Sequence, residues 1–357
     1  MNATDEANIL NAIRADAVAG LADWTKYGEI GQRERGPYVI LNYGPKAPII
    51  GRWTPAEQVC RGLIVDRRTG EVAARAFNRF WNYGENGRVS TAPITHVHEK
   101  ADGSLGIYLR TDDGLRITTR GSFDSEQAQW ATSWLRYNHN MDGLDDALTP
   151  LFEIIYPGNR IVVDYGDRRE LVLLAVRNRH TGAYLPHDDV VSLANRHGFG
   201  LPKVYDVNDP AELVSLCAGL PANEEGYVAL FEDGQRFKFK GDAYKALHRL
   251  VTRLSFARVL EAVTAGTVDD MMTAIPDEFL GDAKAWLGEI RTERDRIRKL
   301  VKAALRTAPS GDRKALALHV TRHPDFRDVA PYVFASIDGG DVDALIFKRA
   351  FRDRRAA

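Results

Sequence analysis

The chain has little cysteine: two in 357 residues, Cys60 and Cys217, with no CxxC pair. Neither a zinc ribbon nor a disulfide framework can be built from that. Long apolar runs are missing too, and none approaches the length of a membrane span. The acidic start "MNATDEANIL" lacks the basic and apolar parts of a secretion signal, so a cytoplasmic protein is the simplest expectation. No GxxxxGK[ST] phosphate loop occurs. Net charge is almost absent at −1, but it is unevenly spread. Residues 1–244 hold 27 Lys and Arg against 33 Asp and Glu, whereas residues 245–357 hold 21 against 16. The basic tail is compatible with a nucleic-acid partner, although an imbalance of this size does not demand one.

What is present describes an ordinary globular chain, 44% hydrophobic and 27% charged, and too long for one typical core. Residues 5–26 read as an amphipathic helix. Short alternating runs follow: "YVILNYG", "CRGLIVD", "ITHVHEK", "LGIYLR", "LRITTR", "LFEIIYP", "RIVVDYG", "ELVLLAVRN", "GYVALF" and "RFKFK". Helical patterns interrupt them near Ser125 to Asn138 and Asp188 to His197. The pattern predicts an α+β domain on antiparallel sheets rather than a doubly wound sheet. From about Tyr244 apolar residues recur at helical spacing, as in Leu247, Leu250, Val251 and Leu254, and strands nearly vanish. The expected division is therefore residues 1–244 and a mainly helical 245–357.

Three features could carry chemistry. In "EGYVALFEDGQRFKFKGD" a two-residue Asp233-Gly234 turn would pair Phe231 with Arg236, Ala229 with Lys238 and Tyr227 with Lys240. Arg236, Lys238 and Lys240 would then share a face with Glu225 and Tyr227, opposite Val228, Leu230, Phe237 and Phe239. By itself the cationic strip fits a solvated face as well as a phosphate-binding one. Glu153, a carboxylate inside the apolar "LFEIIYP", needs a partner if it is buried. Lys100 ends the run "ITHVHEK" before "ADG" turns the chain. A free lysine is neutral in only about one molecule in a few thousand at pH 7, so it reacts as a nucleophile only where neighbouring cations or a metal release its lone pair. The pair His96-x-His98 reads as two strand-face histidines, since no partner cluster accompanies it.

Together these pieces resemble the covalent nucleotidyltransferases, the superfamily of ATP-dependent ligases and messenger-RNA capping enzymes. "EKADGSL" is similar to motif I, KxDG; "LFEIIYPGNRIV" to motif III; "LVLLAVRN" to motif IIIa; "EGYVALF" to motif IV; and "FKFKGDAY" to motif V, with "RGSFDSEQA" following motif I. Upstream, "YVILNYG", "CRGLIVD" and "FNRFWNYGE" resemble the front end of the T-even phage RNA ligase 1 family, and the likeness runs from about Tyr38 to His248. It implies an antiparallel-sheet nucleotidyltransferase (ATP-grasp-like ligase) domain followed by a helical domain that bears on RNA choice.

The resemblance also implies roles. Lys100 would attack the α-phosphate of ATP and hold AMP. Lys238 and Lys240 would contact phosphate, and Glu153 would lie by the nucleotide sugar. Tyr43 and Arg61 would lie at the triphosphate end, with Glu99, Arg79 and Arg120 also around the nucleotide. Glu225, Tyr244 and Asp269 match positions near divalent metal, Mg2+ or Mn2+. Arginine stands at Arg79 and Arg120 where the family has lysine, and Trp81 where phenylalanine is usual; arginine keeps the charge and can grip phosphate with two donors, but the exchange alters geometry. The implied partner is RNA with 5′-phosphate and 3′-hydroxyl ends, such as cleaved tRNA, the implied state a monomer, and no membrane is involved. DNA ligation, GMP transfer of the capping type and non-catalytic RNA binding stand as alternatives; the first two usually come with an OB-fold after motif V, where this chain reads as helix. The tail segment Arg291 to Arg306, with seven basic residues against two acidic, could track an RNA backbone or be a solvated helix face.

Overall fold

A computed structural model describes residues 3–44, 46–47, 52–251, 254–274, 280–309 and 313–351. Contacts divide the chain into two compact units, Met1–Val251 and Thr252–Ala357. The division expected after Tyr244 falls inside a helix, Asp242–Val251, that stays with the first unit. The side chains of Leu250 and Val251, cited above for their spacing, lie outside the described residues.

The first unit opens on helix α1 (Ala3–Val18), which stops short of the expected residue 26. The chain turns at Ala19-Gly20, and Trp24 drops into the core at 2% exposure. Three sheets follow. The first is β1 (Ile30–Arg35), β2 (Tyr38–Tyr43), β3 (Arg61–Asp66) and β4 (Glu71–Ala74) in that order, with helix α2 (Pro55–Val59) leading into β3. Leu10, Ile13 and Ala17 of α1 pack with Leu41, Val59 and Leu63 beneath it.

The second sheet runs β10-β9-β7-β8, built from β7 (Ser104–Thr111), β8 (Gly114–Thr118), β9 (Leu148–Ile155) and β10 (Glu170–Asn178). Its core face is covered by α3 (Glu126–Asn138), started by the Ser125 cap, and by α4 (His187–His197). The third runs β11-β6-β12-β13-β5, from β5 (Trp81–Asn82), β6 (Ile94–Glu99), β11 (Val204–Tyr205), β12 (Gly226–Phe231) and β13 (Arg236–Lys240). All pairings between these strands are antiparallel except β13 with β5, which accords with the expected class. Helix α5 (Pro210–Gly219) and α6 (Asp242–Val251) complete the unit.

Two sequence expectations fail here. "RIVVDYG" is not a strand, because Asp102 Oδ2 accepts the backbone N–H groups of Val162 and Val163, at 2.8 Å each, in place of a neighbouring strand. The hairpin register is also one residue off. Its turn takes three residues: Phe231 N–H donates to the Gln235 carbonyl, and Gly234 sits left-handed at φ 79°. Tyr227 therefore pairs with Phe239, Ala229 with Phe237 and Leu230 with Arg236. Tyr227, Ala229 and Phe231 go to the core with Phe237 and Phe239, while Val228 and Leu230 join the cationic face. Burial of each large core side chain contributes roughly 1.5–3 kcal/mol.

The second unit is helical: α7 (Phe256–Ala265), α8 (Val268–Ala274), α9 (Leu280–Thr307), α10 (Arg313–Arg322), α11 (Ala330–Ile337) and α12 (Val342–Arg349). Among the described residues no helix is long and apolar enough to cross a membrane.

Candidate active site

The third sheet turns one face toward a cavity of about 660 Å³. Alternation along β6, β12 and β13 lays that face out in rows. Lys100, whose N–H donates to the Gly226 carbonyl, stands in a row with Gly226 and Lys240; His98, Val228 and Lys238 make the next; His96, Leu230 and Arg236 the third. Rows two residues apart are separated by about 6.7 Å. Gly226 is fixed by close approach: it lies at φ 139°, and a Cβ there would sit 2.0 Å from the Phe239 carbonyl oxygen.

The first row holds Lys100 and Lys240, with Lys238 and Arg236 one in each of the next two. Lys100 Nζ lies 2.8 Å from one oxygen of Glu225, and Lys240 Nζ lies 2.8 Å from the other. Glu225 is buried; burial alone would push its carboxyl up, but the two lysines outweigh that and hold it below the usual range. Cations were expected to crowd Lys100, yet the group in contact with it is a carboxylate. Glu153 rises beside them from β9 and accepts the Gly103 N–H at 2.9 Å. Burial, opposed by Lys100 and reinforced by the Glu225 and Asp102 charges, pushes its carboxyl up to about 7. Asp102, the acid of KADG, ties the loop at Val162 and Val163 with one oxygen and accepts the Tyr244 hydroxyl at 2.8 Å with the other.

Arg61, Glu99, Lys100, Glu153, Lys238 and Lys240 thus border one cavity, with Glu225 bridging two of the lysines. Tyr43, Arg79 and Arg120 are not among its lining residues. They form a cluster beside Arg61, where Tyr43 N–H donates to the Cys60 carbonyl. Arg120 donates to the Tyr43 hydroxyl, and the buried Arg79 guanidinium lies 3.9 Å from the Trp53 ring centroid and 4.5 Å from that of Trp81. Trp81, in place of the usual phenylalanine, is thus part of an arginine clamp. Tyr244 is buried against Val162 and Val163, and Asp269 stands exposed on α8 of the second unit.

The sequence reading missed the opposite wall. Phe77, Phe80, Tyr184 and His187 come from two separate stretches to line the cavity, and Arg236 lies over Tyr184 at 3.7 Å. His187 joins His96 and His98, with ring centroids 4.7 and 5.3 Å away. Only the alternation of His96 and His98 with Lys100 hinted at that face. Among the described residues no group of three His, Cys, Asp or Glu side chains is disposed to hold a metal ion.

The site combines a row of two lysines bridged by a carboxylate with a planar, π-rich end. Comparison with known proteins accords with the motifs. A Thermovibrio ammonificans protein named "Putative RNA ligase" is 30% identical over 217 residues, 56% of either chain. A "Putative bifunctional polynucleotide kinase/RNA ligase" of Autographa californica nuclear polyhedrosis virus is 29% identical over 251 residues, 62% of this chain and 35% of the viral one. The chain thus spans 56% and 35% of the lengths of these relatives. Among solved structures, a Naegleria gruberi RNA ligase with PPi matches at TM-score 0.37 and 20% identity, over 44% of this chain and 52% of that one. Residues 59–245 match the family described as RNA ligase, just over half of the chain, and with motifs I to V in order the protein belongs to that family, of the T4 RNA ligase 1 type.

Proposed function

We propose that the protein is an ATP-dependent RNA ligase, joining 5′-phosphate and 3′-hydroxyl ends through lysyl-AMP and RNA-adenylate. The observation that carries this reading is the first row: Lys100 at the cavity, bridged by Glu225 to Lys240. In the first step the Glu225 contact opens, the ammonium sheds a proton, and Lys100 Nζ bonds to the α-phosphorus of ATP as the bond to pyrophosphate breaks. Next an oxygen of the RNA 5′-phosphate attacks the AMP phosphorus; the N–P bond breaks and Lys100 regains its proton. Finally the RNA 3′-hydroxyl loses its proton, its oxygen bonds to the 5′-phosphorus, and AMP leaves. In such displacements positioning and charge neutralisation supply most of the catalysis.

Lys238, Lys240 and Arg61 would hold the phosphates, and Glu153 the sugar. Glu99 also lines the cavity and would contact the nucleotide, while Tyr43, Arg79 and Arg120 would grip the outer phosphates. A Mg2+ or Mn2+ ion, when bound, supplies charge neutralisation at phosphate oxygens. Glu225, a buried carboxylate that the two lysines hold below the usual range, would hold such an ion once a lysine contact opens. Tyr244, whose hydroxyl donates to Asp102, and Asp269 are further candidates. Residues 1–244 would carry adenylyl transfer and 245–357 the choice of RNA, cleaved tRNA being the proposed class. A cytoplasmic monomer is the proposed state; Cys60 and Cys217, both buried and unbridged, accord with a reducing compartment.

The test is label transfer. Incubated with Mg2+ and α-labelled ATP, the protein should carry label through a denaturing gel, and Lys100→Ala should abolish it. Label from GTP alone would instead favour capping chemistry, and no label with either metal would leave an RNA-binding protein. Single-stranded 5′-phosphorylated RNA or DNA then names the polymer.

A further inference from the structure

Helix α3 carries aromatic side chains outside the nucleotide cavity. Trp130, Trp134 and Tyr137 follow one another at intervals of four and three residues, so they form one stripe along the helix. The two indoles are only half-buried against the core of the second sheet, and Tyr137 is 89% exposed. Trp130 stacks on Trp134 with 5.1 Å between ring centroids and 14° between planes, and on Tyr156 at 4.3 Å and 16°. Three nearly parallel rings thus make a ladder that starts just past the end of β9. Its first ring belongs to the motif loops: Tyr156 shares a small pocket of about 140 Å³ with Asp102 of KADG and with Arg160. The Tyr156 hydroxyl is buried and has no hydrogen-bond partner among the described residues, a demand that a ligand can meet. Burial, then the Glu126 charge, push that hydroxyl up, so it stays protonated and able to donate.

We propose that Tyr156, Trp130 and Trp134, extended by the exposed Tyr137, form a stacking platform for unpaired bases of an RNA single strand whose end lies at the Lys100 loop. This rests on the RNA ligase reading given above and adds to it a surface that ATP does not occupy. Charge beside the ladder suits an anionic strand. Leu171 and Leu173 of β10 lie in the core under α3 with Tyr156, and alternation carries Arg169 toward that same face. Arg169 is exposed and pairs with no described residue. Arg160 is held by Asp164 alone, in an exposed pair of the kind that opens at little cost. The acid of α3, Glu126, stands in its first turn, and the rest of the stripe is neutral. Every base has a face to stack, so such a platform tolerates any sequence, and each stacked base adds about fivefold or more to the affinity.

The test compares two strands of equal length and charge on the full chain, with EDTA present to block transfer: single-stranded 5′-phosphorylated RNA, and the same strand made abasic. Fluorescence anisotropy should show the wild type binding the base-bearing strand about fivefold or more tighter. Trp130→Ala should bring that ratio below about twofold, and Trp130→Phe, which keeps a ring, should restore most of it. Arg169→Gln should weaken both strands alike and leave the ratio as it was. Where W130A does not fold, Tyr137→Ala, at an exposed position, should still lower the ratio. A wild-type ratio near one, or a ratio that the aromatic variants leave unchanged, overturns the inference. Label transfer from ATP judges the ligase reading separately, and Trp130→Ala should keep the wild-type level. Transfer with a ratio indifferent to Trp130 removes this inference alone, and a Trp130-dependent ratio without transfer in the wild type removes the ligase chemistry alone. Neither label nor RNA binding removes both, and loss of label in a folded Trp130→Ala would show the ring to act through the Lys100 loop and not as a platform.

Discussion

Two titratable residues of the cavity make opposite demands on pH. Glu153, pushed up to about 7 from an ordinary 4.5, binds its proton more tightly in the folded chain, so its contribution is full below pH 4.5 and is lost as pH rises through 7. His98, pushed down to about 4 from 6.5, contributes fully above pH 6.5 and loses that as pH falls toward 4. Each is worth about 3 kcal/mol over its window. Between pH 4.5 and 6.5 the two slopes oppose each other, so each variant should expose the slope that the other residue hides. Glu153→Gln should become less stable than wild type as pH is lowered from 6.5 to 4, and His98→Asn more stable relative to wild type as pH is lowered from 7 to 4.5. Urea midpoints at four pH values measure this; two variants running parallel to wild type would remove the assignment. Much at this scale was legible in the sequence. KADG marked Lys100, and Glu153 stood out as a carboxylate in an apolar run. The ion pair to Glu225 was not legible, because it joins residues 125 positions apart across two strands. His187 likewise comes from a helix with no local signature of a cavity.

At the scale of elements, α1 is fastened by a contact of long sequence reach. Glu6 accepts from both Arg75 and Arg177, at 2.7 Å for the second, and the two arginine side chains are 3% and 2% exposed. Burial and the Arg177 charge lower the Arg75 guanidinium from its usual value, while Arg177, Asn78 and Arg75 outweigh burial to hold the Glu6 carboxyl low. Arg177 also lies over Tyr184 at 4.9 Å, the ring that carries Arg236 in the cavity. Glu6→Ala leaves two buried guanidiniums without their carboxylate and should cost about 3–5 kcal/mol. Urea denaturation measures it, and a loss below about 1 kcal/mol, the worth of an exposed pair, would show α1 to be merely appended. Nothing in "NATDEANIL" announces this role. Alternation found most of the strands of the first unit, since each has one or two buried faces. It failed where a side chain replaced a strand partner, at Val162 and Val163, and at the Glu232-Asp233-Gly234 turn, where one extra loop residue exchanged the faces of β12. The grouping of Lys238 with Lys240 survived because residues two apart on one strand share a face in any register.

For the whole molecule, the charge split between residues 1–244 and 245–357 becomes meaningful only after ion pairs are subtracted. On α9, Arg298 forms two 2.7 Å bonds with Asp343 of α12, Arg296 pairs with Glu293, and Arg294 with Asp295. Arg298 thus ties α9 to α12, while Arg296 and Arg294 are occupied by carboxylates of α9 itself. Arg291, Lys299, Lys302 and Arg306 are exposed and pair with no described residue. At 3.6 residues per turn these four fall within an arc of about 80°, on one side of the helix. Asp295 shares that arc but is neutralised by Arg294. The opposite side is apolar, with Ile290, Ile297 and Val301 buried. If the ligase reading holds, this stripe and not the paired arginines should meet the RNA backbone. Each phosphate contact on a single strand adds about 0.7 to the slope of log binding constant against log salt. Changing Arg291, Lys299, Lys302 and Arg306 to glutamine should therefore flatten the slope by up to about 3, while Arg296→Gln with Arg298→Gln should leave it nearly as it was and act on stability instead. Fluorescence anisotropy of 5′-phosphorylated single-stranded RNA across a salt series reads both. A fourfold variant with the wild-type slope would return α9 to the role of a solvated scaffold helix, and a flattened slope in the Arg296 and Arg298 pair would mean that their ion pairs open to bind phosphate.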